Sequence, residues 1–282
     1  KLADELGVKK LGFEARYLTV ADRSGFQKSI DEYRQCETLV LIGVDDVVDL
    51  LRVSKDENEV QLLTHAIEIT DQAFEVVAPE ITPGVTEASV AWELEKAMRE
   101  RGASGMAFDI IVGAGSNGAL PHHLADESEI RCGEPVVIDM GARYDGYCAD
   151  LTRTVFIGEP DRQFLRVYDV VLRAQLAAEE SARPGMTGGE LDAIARGIIR
   201  DAGYGENFGH SLGHGVGLAV HEFPRISPGS EDRLEEGMVF TIEPGVYLSG
   251  WGGVRIEDVV VLERGCSRVI SSARKLFDLG VV

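Results

Sequence analysis

The feature that most constrains this chain is an internal repeat. Pro83–Gly102 reads PGVTEASVAWELEKAMRERG, Pro184–Gly203 reads PGMTGGELDAIARGIIRDAG, and the two align without a gap. Such self-similarity implies two like structural parts, so it takes precedence over local assignments. Each copy has a Pro-Gly turn, a Thr placed as N-cap (Thr86, Thr187), an amphipathic run and a closing Gly at C′. A long helical pattern precedes each copy, Glu57 to about Val77 before the first and Phe164–Ala182 before the second. Ser54 or Asp56 is placed to cap the first of these helices.

The repeat continues into strands. Gly133-Glu-Pro-Val-Val-Ile-Asp139 matches Gly237-Met-Val-Phe-Thr-Ile-Glu243, and each places a carboxylate six residues after the glycine. Asp150 lies eight residues before Gly158, and Glu257 lies eight residues before Gly265. Pro135–Met140 and Leu151–Ile157 are apolar, β-branched runs, and Ala142–Tyr147 between them carries turn formers. The expectation is a pair of strands joined by a turn, with an acid at each strand end. Two ordinary strand-end aspartates would satisfy that stretch alone. The matching acids of the second copy change the reading, because a pseudo-twofold axis would bring four carboxylates to one point.

Four converging carboxylates cannot all ionise without compensating charge. Two hard divalent cations would supply it, and oxygen-rich sites with one imidazole suit manganese, cobalt or zinc. The imidazole is at hand in Ser211-Leu-Gly-His214-Gly-Val-Gly217. Of the six histidines, His210, His214 and His221 cluster there, and His122 and His123 occupy the corresponding region of the first half. His65, on the long helix, reads as a surface or packing residue.

Composition bounds the partners. The formal net charge is −20, which argues against nucleic acid and against an anionic membrane surface. No apolar run reaches the length of a membrane span, and no signal-peptide pattern opens the chain. The four cysteines, Cys36, Cys132, Cys148 and Cys266, form no C-x-x-C pair, which suits reduced thiols in a cytoplasmic protein. The first residue is Lys1 rather than Met, so a longer gene product is expected. Residues 1–54 mix short elements. Lys1–Leu6 reads as the end of a helix, Lys9–Glu14 as a strand, Val20–Glu32 as a helix and Thr38–Ile42 as an apolar run. These are too few and too short to close a core.

The runs IDMGARYDGYCADLTRT, SLGHGVGLAVHE, TIEPGVY and VRIEDVVV resemble the proline-directed metallopeptidase family of aminopeptidase P and prolidase. The resemblance extends from about residue 55 to the C-terminus. It implies an α+β pita-bread fold, two pseudo-symmetric helix-helix-hairpin halves around a curved antiparallel sheet. Residues 55–282 would be the catalytic domain, and residues 1–54 the C-terminal remnant of a smaller N-terminal α/β domain.

The resemblance also implies roles. Asp139 would bind one metal, Asp150 and Glu257 would bridge both, and His214 and Glu243 would complete the second metal's ligands. The reaction would be hydrolysis of the bond between an N-terminal residue and proline, by a dipeptidase or an aminopeptidase, through a metal-bridging hydroxide. Two divalent ions, manganese first, are the expected cofactors. Glu243 would accept or shuttle the proton. His122 would stabilise the tetrahedral intermediate or pass a proton to the leaving nitrogen, and a loop shifted by one residue would give that task to His123. His221 would hydrogen-bond the substrate carbonyl. His210 would line the proline side or the C-terminal part of the substrate, and Tyr247 and Arg255 would support the ligands or orient the substrate. The partner is a peptide with proline at its second position, and a homodimer is a further implication.

Competing readings have discriminating features. A catalytically inactive binding module or a metal-free creatinase-like hydrolase would lack ligands, and all five are present. A methionine aminopeptidase shares the ligands, but Arg255–Asp258 (Arg-Ile-Glu-Asp) resembles the proline-directed branch. Gly113-Ala-Gly115-Ser-Asn-Gly118 matches a dinucleotide fingerprint, yet Ala-Leu-Pro-His-His follows in place of an apolar helix. These glycines are expected to shape a loop that presents His122.

Overall fold

The structure, a computed structural model, describes residues 2–33 and 39–275. Lys1, Cys36 and Thr38, on which sequence expectations fall, lie outside the described residues. The chain divides into two compact units, Lys1–Arg52 and Val53–Val282.

The first unit holds helix α1 (Leu2–Glu5), strand β1 (Lys10–Glu14), helix α2 (Val20–Tyr33), strand β2 (Val40–Val44) and helix α3 (Asp49–Arg52). Strands β1 and β2 pair in parallel, from Lys10 opposite Val40 to Glu14 opposite Val44. A parallel pair needs a crossover, and α2 supplies it. Among the described residues of this unit Leu39 alone is a buried hydrophobic, and α2 buries none. Phe26, Leu11 and Val40 remain exposed.

The second unit carries the repeat. Its first half runs α4 (Glu57–Val77), α5 (Glu87–Glu100), β3 (Gly105–Met106), β4 (Ile111–Ala114), β5 (Pro135–Met140), β6 (Ala142–Tyr144), β7 (Tyr147–Cys148) and β8 (Leu151–Phe156). Its second half runs α6 (Arg162–Ser181), α7 (Gly188–Asp201), β9 (Gly213–Gly215), β10 (Glu222–Ile226), β11 (Val239–Ile242), β12 (Gly245–Leu248), β13 (Gly252–Arg255), β14 (Asp258–Glu263) and β15 (Cys266–Val269). No helix among the described residues is long and apolar enough to cross a membrane.

Helices α4, α5, α6 and α7 of this unit all start at side-chain caps. Asp56, rather than Ser54, caps α4 and forms a reciprocal box with Glu59. Thr86 caps α5, and Thr187 caps α7 in a box with Glu190. Helix α6 begins at Arg162 because Asp161 accepts the Phe164 N–H at 2.7 Å. Each such cap is worth about 1 kcal/mol.

One expectation needs correction. The segment 142–147 is not a simple turn between two strands. It forms a small hairpin, β6 with β7, around Asp145 and Gly146, whose φ values are 45° and 89°. Positive φ at both central residues is what a two-residue hairpin turn requires, and Asp-Gly supplies it. Strands β12 and β13 form the matching hairpin in the second half. Each half is therefore strand, small hairpin, strand, with β5–β8 and β11–β14 as its antiparallel ladders. The strand pairing is partitioned into several ladders, of which β10-β9-β11-β14-β15 is the largest.

Each half also has its own core. Phe74, Leu94, Met98, Val112, Ile138 and Met140 pack beneath α4 and α5. Phe164, Val171, Leu191, Ile199, Phe240 and Leu262 pack beneath α6 and α7. Fully burying one such side chain stabilises by about 1.5–3 kcal/mol. Leu63 and Ile67 of α4 also pack with Val239, Val259 and Val261 of the other half, so α4 ties the halves together.

Polar contacts complete the junction. Thr154 Oγ1 donates to the Arg255 carbonyl and accepts the Arg255 N–H. The Glu257 N–H donates to the Thr152 carbonyl at 3.1 Å. Arg153, 1% exposed, donates to the carbonyls of Thr152, Glu257, Ala273 and Arg274 and to Asp258 Oδ1.

Candidate metal centre

The ladders set the acids in place. In β5–β8 Asp139 stands opposite Thr152, and Asp150 immediately precedes β8. In β11–β14 Ile242 stands opposite Asp258, so Glu243 and Glu257 lie one step further out at the same ladder end. His214 is the central residue of β9, which runs between β10 and β11. A Cβ at Gly213 would sit 1.9 Å from the Thr241 carbonyl oxygen, and one at Gly215 would sit 2.0 Å from that of Phe223. Only glycine beside His214 allows this close passage.

Side chains from both halves meet. Ligand-type atoms of Asp150, His214 and Glu257 all lie within 4.8 Å of one another. His214 Nε2 is 3.2 Å from Glu243 Oε1 and 3.6 Å from Asp150 Oδ2. His214 Nδ1 donates to the Gly215 carbonyl at 3.1 Å, which turns Nε2 toward the acids. Metal-binding histidines are commonly oriented in this way. Asp139 joins the group through Arg255, whose Nη2 donates to Asp139 Oδ2 at 2.5 Å.

A chain of hydrogen bonds backs Asp139. Arg255 Nη1 donates to the Tyr247 hydroxyl at 2.8 Å, and that hydroxyl is 3.0 Å from His210 Nε2. His210 Nδ1 lies 2.8 Å from the Ser211 carbonyl, which can only accept, so Nδ1 carries the hydrogen. Burial lowers the His210 pKa and keeps the ring neutral. Its Nε2 therefore accepts from Tyr247. His210, Tyr247 and Arg255 form one line ending on Asp139.

The electrostatics of the cluster are those of crowded acids. Burial first, then the charges of neighbouring carboxylates, pushes Asp150 and Glu257 well above the ordinary carboxylate range. Asp139 is raised by burial against the opposing pull of Arg255. Burial works against ionisation of Glu243, but the hydrogen bond and charge of His214 outweigh it and hold Glu243 at about 2. Burial likewise opposes charge on His214, and Glu243 overcomes it, raising the ring to about 9. Asp139 Oδ1 is buried and has no hydrogen-bond partner. Converging carboxylates, one orphaned oxygen and one directed imidazole nitrogen are a donor set that fits divalent cations.

The remaining histidines differ in their ties. His221 is exposed, with its ring 4.3 Å from that of His214. Partial burial first, and then the His214 charge, lower its pKa, with a smaller contribution from His122. His122 is exposed, whereas His123 Nε2 is 2.6 Å from Glu87 Oε2. The glycine-rich segment before them is a short 3-10 turn, Gly115–Ala119, with no helix opening as a dinucleotide site would need. His65 is half-exposed and packs edge-on against Tyr144.

The structure adds residues that the sequence did not single out. Thr152 Oγ1 donates to Glu257 Oε2 at 2.6 Å and accepts from Arg255 Nε. Thr241 Oγ1 donates to Glu243 Oε1 and accepts the His214 N–H, both at 3.1 Å. Strand alternation was the available signal, since each threonine is two residues from an acid and shares its face. Glu87, His123 and Asp126 form a second cluster of ligand-type atoms within 4.8 Å.

The fold and this centre define a metallopeptidase: residues 61–264 match the model of metallopeptidase family M24, and the chain belongs to that family. The architecture is the pita-bread fold, shared with solved structures of prolidases. The Xaa-Pro dipeptidase of Pyrococcus furiosus is 48% identical over 83% of this chain and 67% of its own length. A solved Xaa-Pro dipeptidase from Bacillus anthracis superposes with a TM-score of 0.93 at 43% identity, covering 98% of this chain and 76% of that one. A solved X-Pro aminopeptidase from Thermotoga maritima gives a TM-score of 0.89 at 41% identity, with coverage of 98% and 76%.

Proposed function

We propose that this protein is a two-metal Xaa-Pro dipeptidase. The observation that carries this reading is the meeting of Asp139, Asp150, His214, Glu243 and Glu257 from two halves of an M24 chain, with Asp139 Oδ1 buried and unpaired. The relatives named Xaa-Pro dipeptidase support the substrate class. Asp139 would hold one metal, Asp150 and Glu257 would bridge, and His214 and Glu243 would serve the second. Manganese is the proposed metal, with cobalt and zinc as the other ions that suit these ligands.

When bound, the metals polarise the scissile carbonyl and make water nucleophilic near neutral pH. Glu243, ionised beside His214, takes the water proton and returns it toward the leaving nitrogen. Exposed His122 donates to the tetrahedral oxygen or to that nitrogen. His221 donates to the substrate carbonyl from beside His214. Tyr247 and Arg255 hold Asp139 in place, and His210 borders the proline side.

The second reading is an aminopeptidase acting on longer Xaa-Pro peptides, favoured by the likeness to the Thermotoga maritima structure. Cys132 and Cys266 are free and exposed, which suits our proposal of a cytoplasmic protein. We read the first unit, with its two strands and little buried apolar surface, as the end of a larger N-terminal domain. Xaa-Pro dipeptides and longer Xaa-Pro peptides, assayed with manganese and after chelation, test the function. The expected result is metal-dependent cleavage of the dipeptide, abolished by Asp150→Ala. Cleavage that survives metal stripping overturns the two-metal reading, and equal turnover of longer peptides selects the aminopeptidase.

A further inference from the structure

Glu87 is the first residue of α5, and its side chain is fully buried. It does not cap the helix, because Thr86 Oγ1 takes the Ser89 N–H. The carboxylate instead reaches the segment 114–126 that carries His122. Its Oε1 accepts the Ala114 N–H at 2.8 Å and the Asn117 side-chain amide at 3.0 Å. Its Oε2 lies 2.6 Å from His123 Nε2 and 3.5 Å from the Asp126 amide nitrogen. One buried group thus grips the start, the middle and the end of the loop.

The second half supplies an internal control. The helix-to-loop backbone bonds are the same in both copies. The Glu87 N–H donates to the Ser128 carbonyl and that of Ala88 to Asp126, while the Gly188 N–H donates to Asp232 and that of Gly189 to Ser230. The residue matching Glu87 is Gly188, where a Cβ would stand 2.0 Å from the Arg225 carbonyl oxygen. The junction therefore forms without a carboxylate. The contacts of Glu87 are additional to it, and they fall on the loop that bears His122. His123 is turned inward, its side chain 11% exposed, and its neighbour His122 faces outward.

We propose that Glu87, acting through His123 and the 114–126 backbone, is a positioning residue that fixes His122 at the mouth of the metal centre. This rests on the catalytic role proposed for His122. The same three side chains could be read as a cation site, but both oxygens of Glu87 are already occupied by N–H donors. That reading is therefore carried into the test as an outcome that overturns the proposal.

The test is a double-mutant cycle in the full chain with manganese and an Xaa-Pro dipeptide. Glu87→Gln and His123→Ala are each expected to lower kcat by roughly 10–100-fold, the scale of a misplaced catalytic group, with KM changed less than about twofold. The pair His122→Ala with Glu87→Gln is expected to lose no more than His122→Ala alone, since both act on one group. Hydrogen exchange of residues 114–126 is expected to quicken in Glu87→Gln, with α7 and its loop unchanged. Full additivity of the two losses, or an unaltered kcat in both single variants, overturns the positioning role. Loss of bound metal from Glu87→Gln at constant occupancy of the main centre overturns it in favour of a cation site. An inert His122→Ala refutes the role of His122 itself, and the proposal with it. If Glu87→Gln does not fold, His123→Ala, its double with His122→Ala and the exchange measurement decide the matter.

Discussion

The two halves of the second unit share a backbone plan and differ in what they hang on it. Both start a helix from a Pro-Gly turn and a threonine cap, and both stitch that helix to the following loop by the same two backbone bonds. Both deliver one acid beside the first strand's end and one before the last strand. They part at two places. Glu87 is matched in the repeat by Gly188, and the imidazole among the acids comes from the second half alone. Symmetry is thus kept where it builds the cage and broken where chemistry needs two unlike metal positions.

This contrast can be tested from its strongest claim downward. Asp150 and Glu257 are equivalents, so Asp150→Asn and Glu257→Gln are each expected to lower kcat/KM by on the order of 10³-fold or more, by matching factors. Steady-state kinetics on an Xaa-Pro dipeptide would measure this, and a hundredfold disparity would break the equivalence. Gly188→Ala is expected to destabilise the protein by about 3 kcal/mol or more, because its Cβ would overlap the Arg225 carbonyl. Urea denaturation reads this value.

Metal binding should reveal the crowded acids through protons. Burial and mutual repulsion raise Asp150 and Glu257 in the metal-free protein, and ligation requires their ionised forms. Affinity is therefore expected to fall as pH is lowered through their raised pKa values, by about tenfold per pH unit for each proton released. Calorimetry in buffers of different ionisation enthalpy should detect net proton release, and its absence would refute the charge argument. Thr241→Val removes a support peculiar to the second half and should weaken metal binding by about 10-fold or more. Thr86→Ala and Thr187→Ala should cost nearly equal amounts, about 1 kcal/mol each. Unequal melting shifts would show that the two caps are not energetic equivalents.

Much of this was readable from the chain because the signals are local. Threonine caps, closing glycines and acids inside apolar strands each leave a mark within a few residues, and the second copy doubles that mark. The Asp145-Gly146 hairpin was present in the sequence as a turn signal, but its short flanking strands were too brief to read as strands. Glu87 was hidden differently. An acid in the first helical turn is ordinary, and only the folded loop makes it the acceptor for donors as distant as Asp126. Thr152 and Arg153 were equally silent, since their partners lie more than a hundred residues away. That His123 is the histidine held by Glu87 depends on the folded position of Glu87, which no spacing rule contains.

Arg153 has a consequence in time. Apart from the neighbouring Thr152 carbonyl, every acceptor of this buried guanidinium comes from residues 257–274. A growing chain leaves the ribosome at about 5–20 residues per second, so the first half waits for many seconds with a cation that has nowhere dry to go. Asp139 and Asp150 wait alongside it for His214, Glu243 and Glu257. The first half therefore cannot settle into its final form during synthesis. The cage is complete only once Glu257 has emerged, and Arg153 is fully paired only after Asp258, Ala273 and Arg274 have followed, which makes the carboxyl-terminal stretch the final latch of the first half.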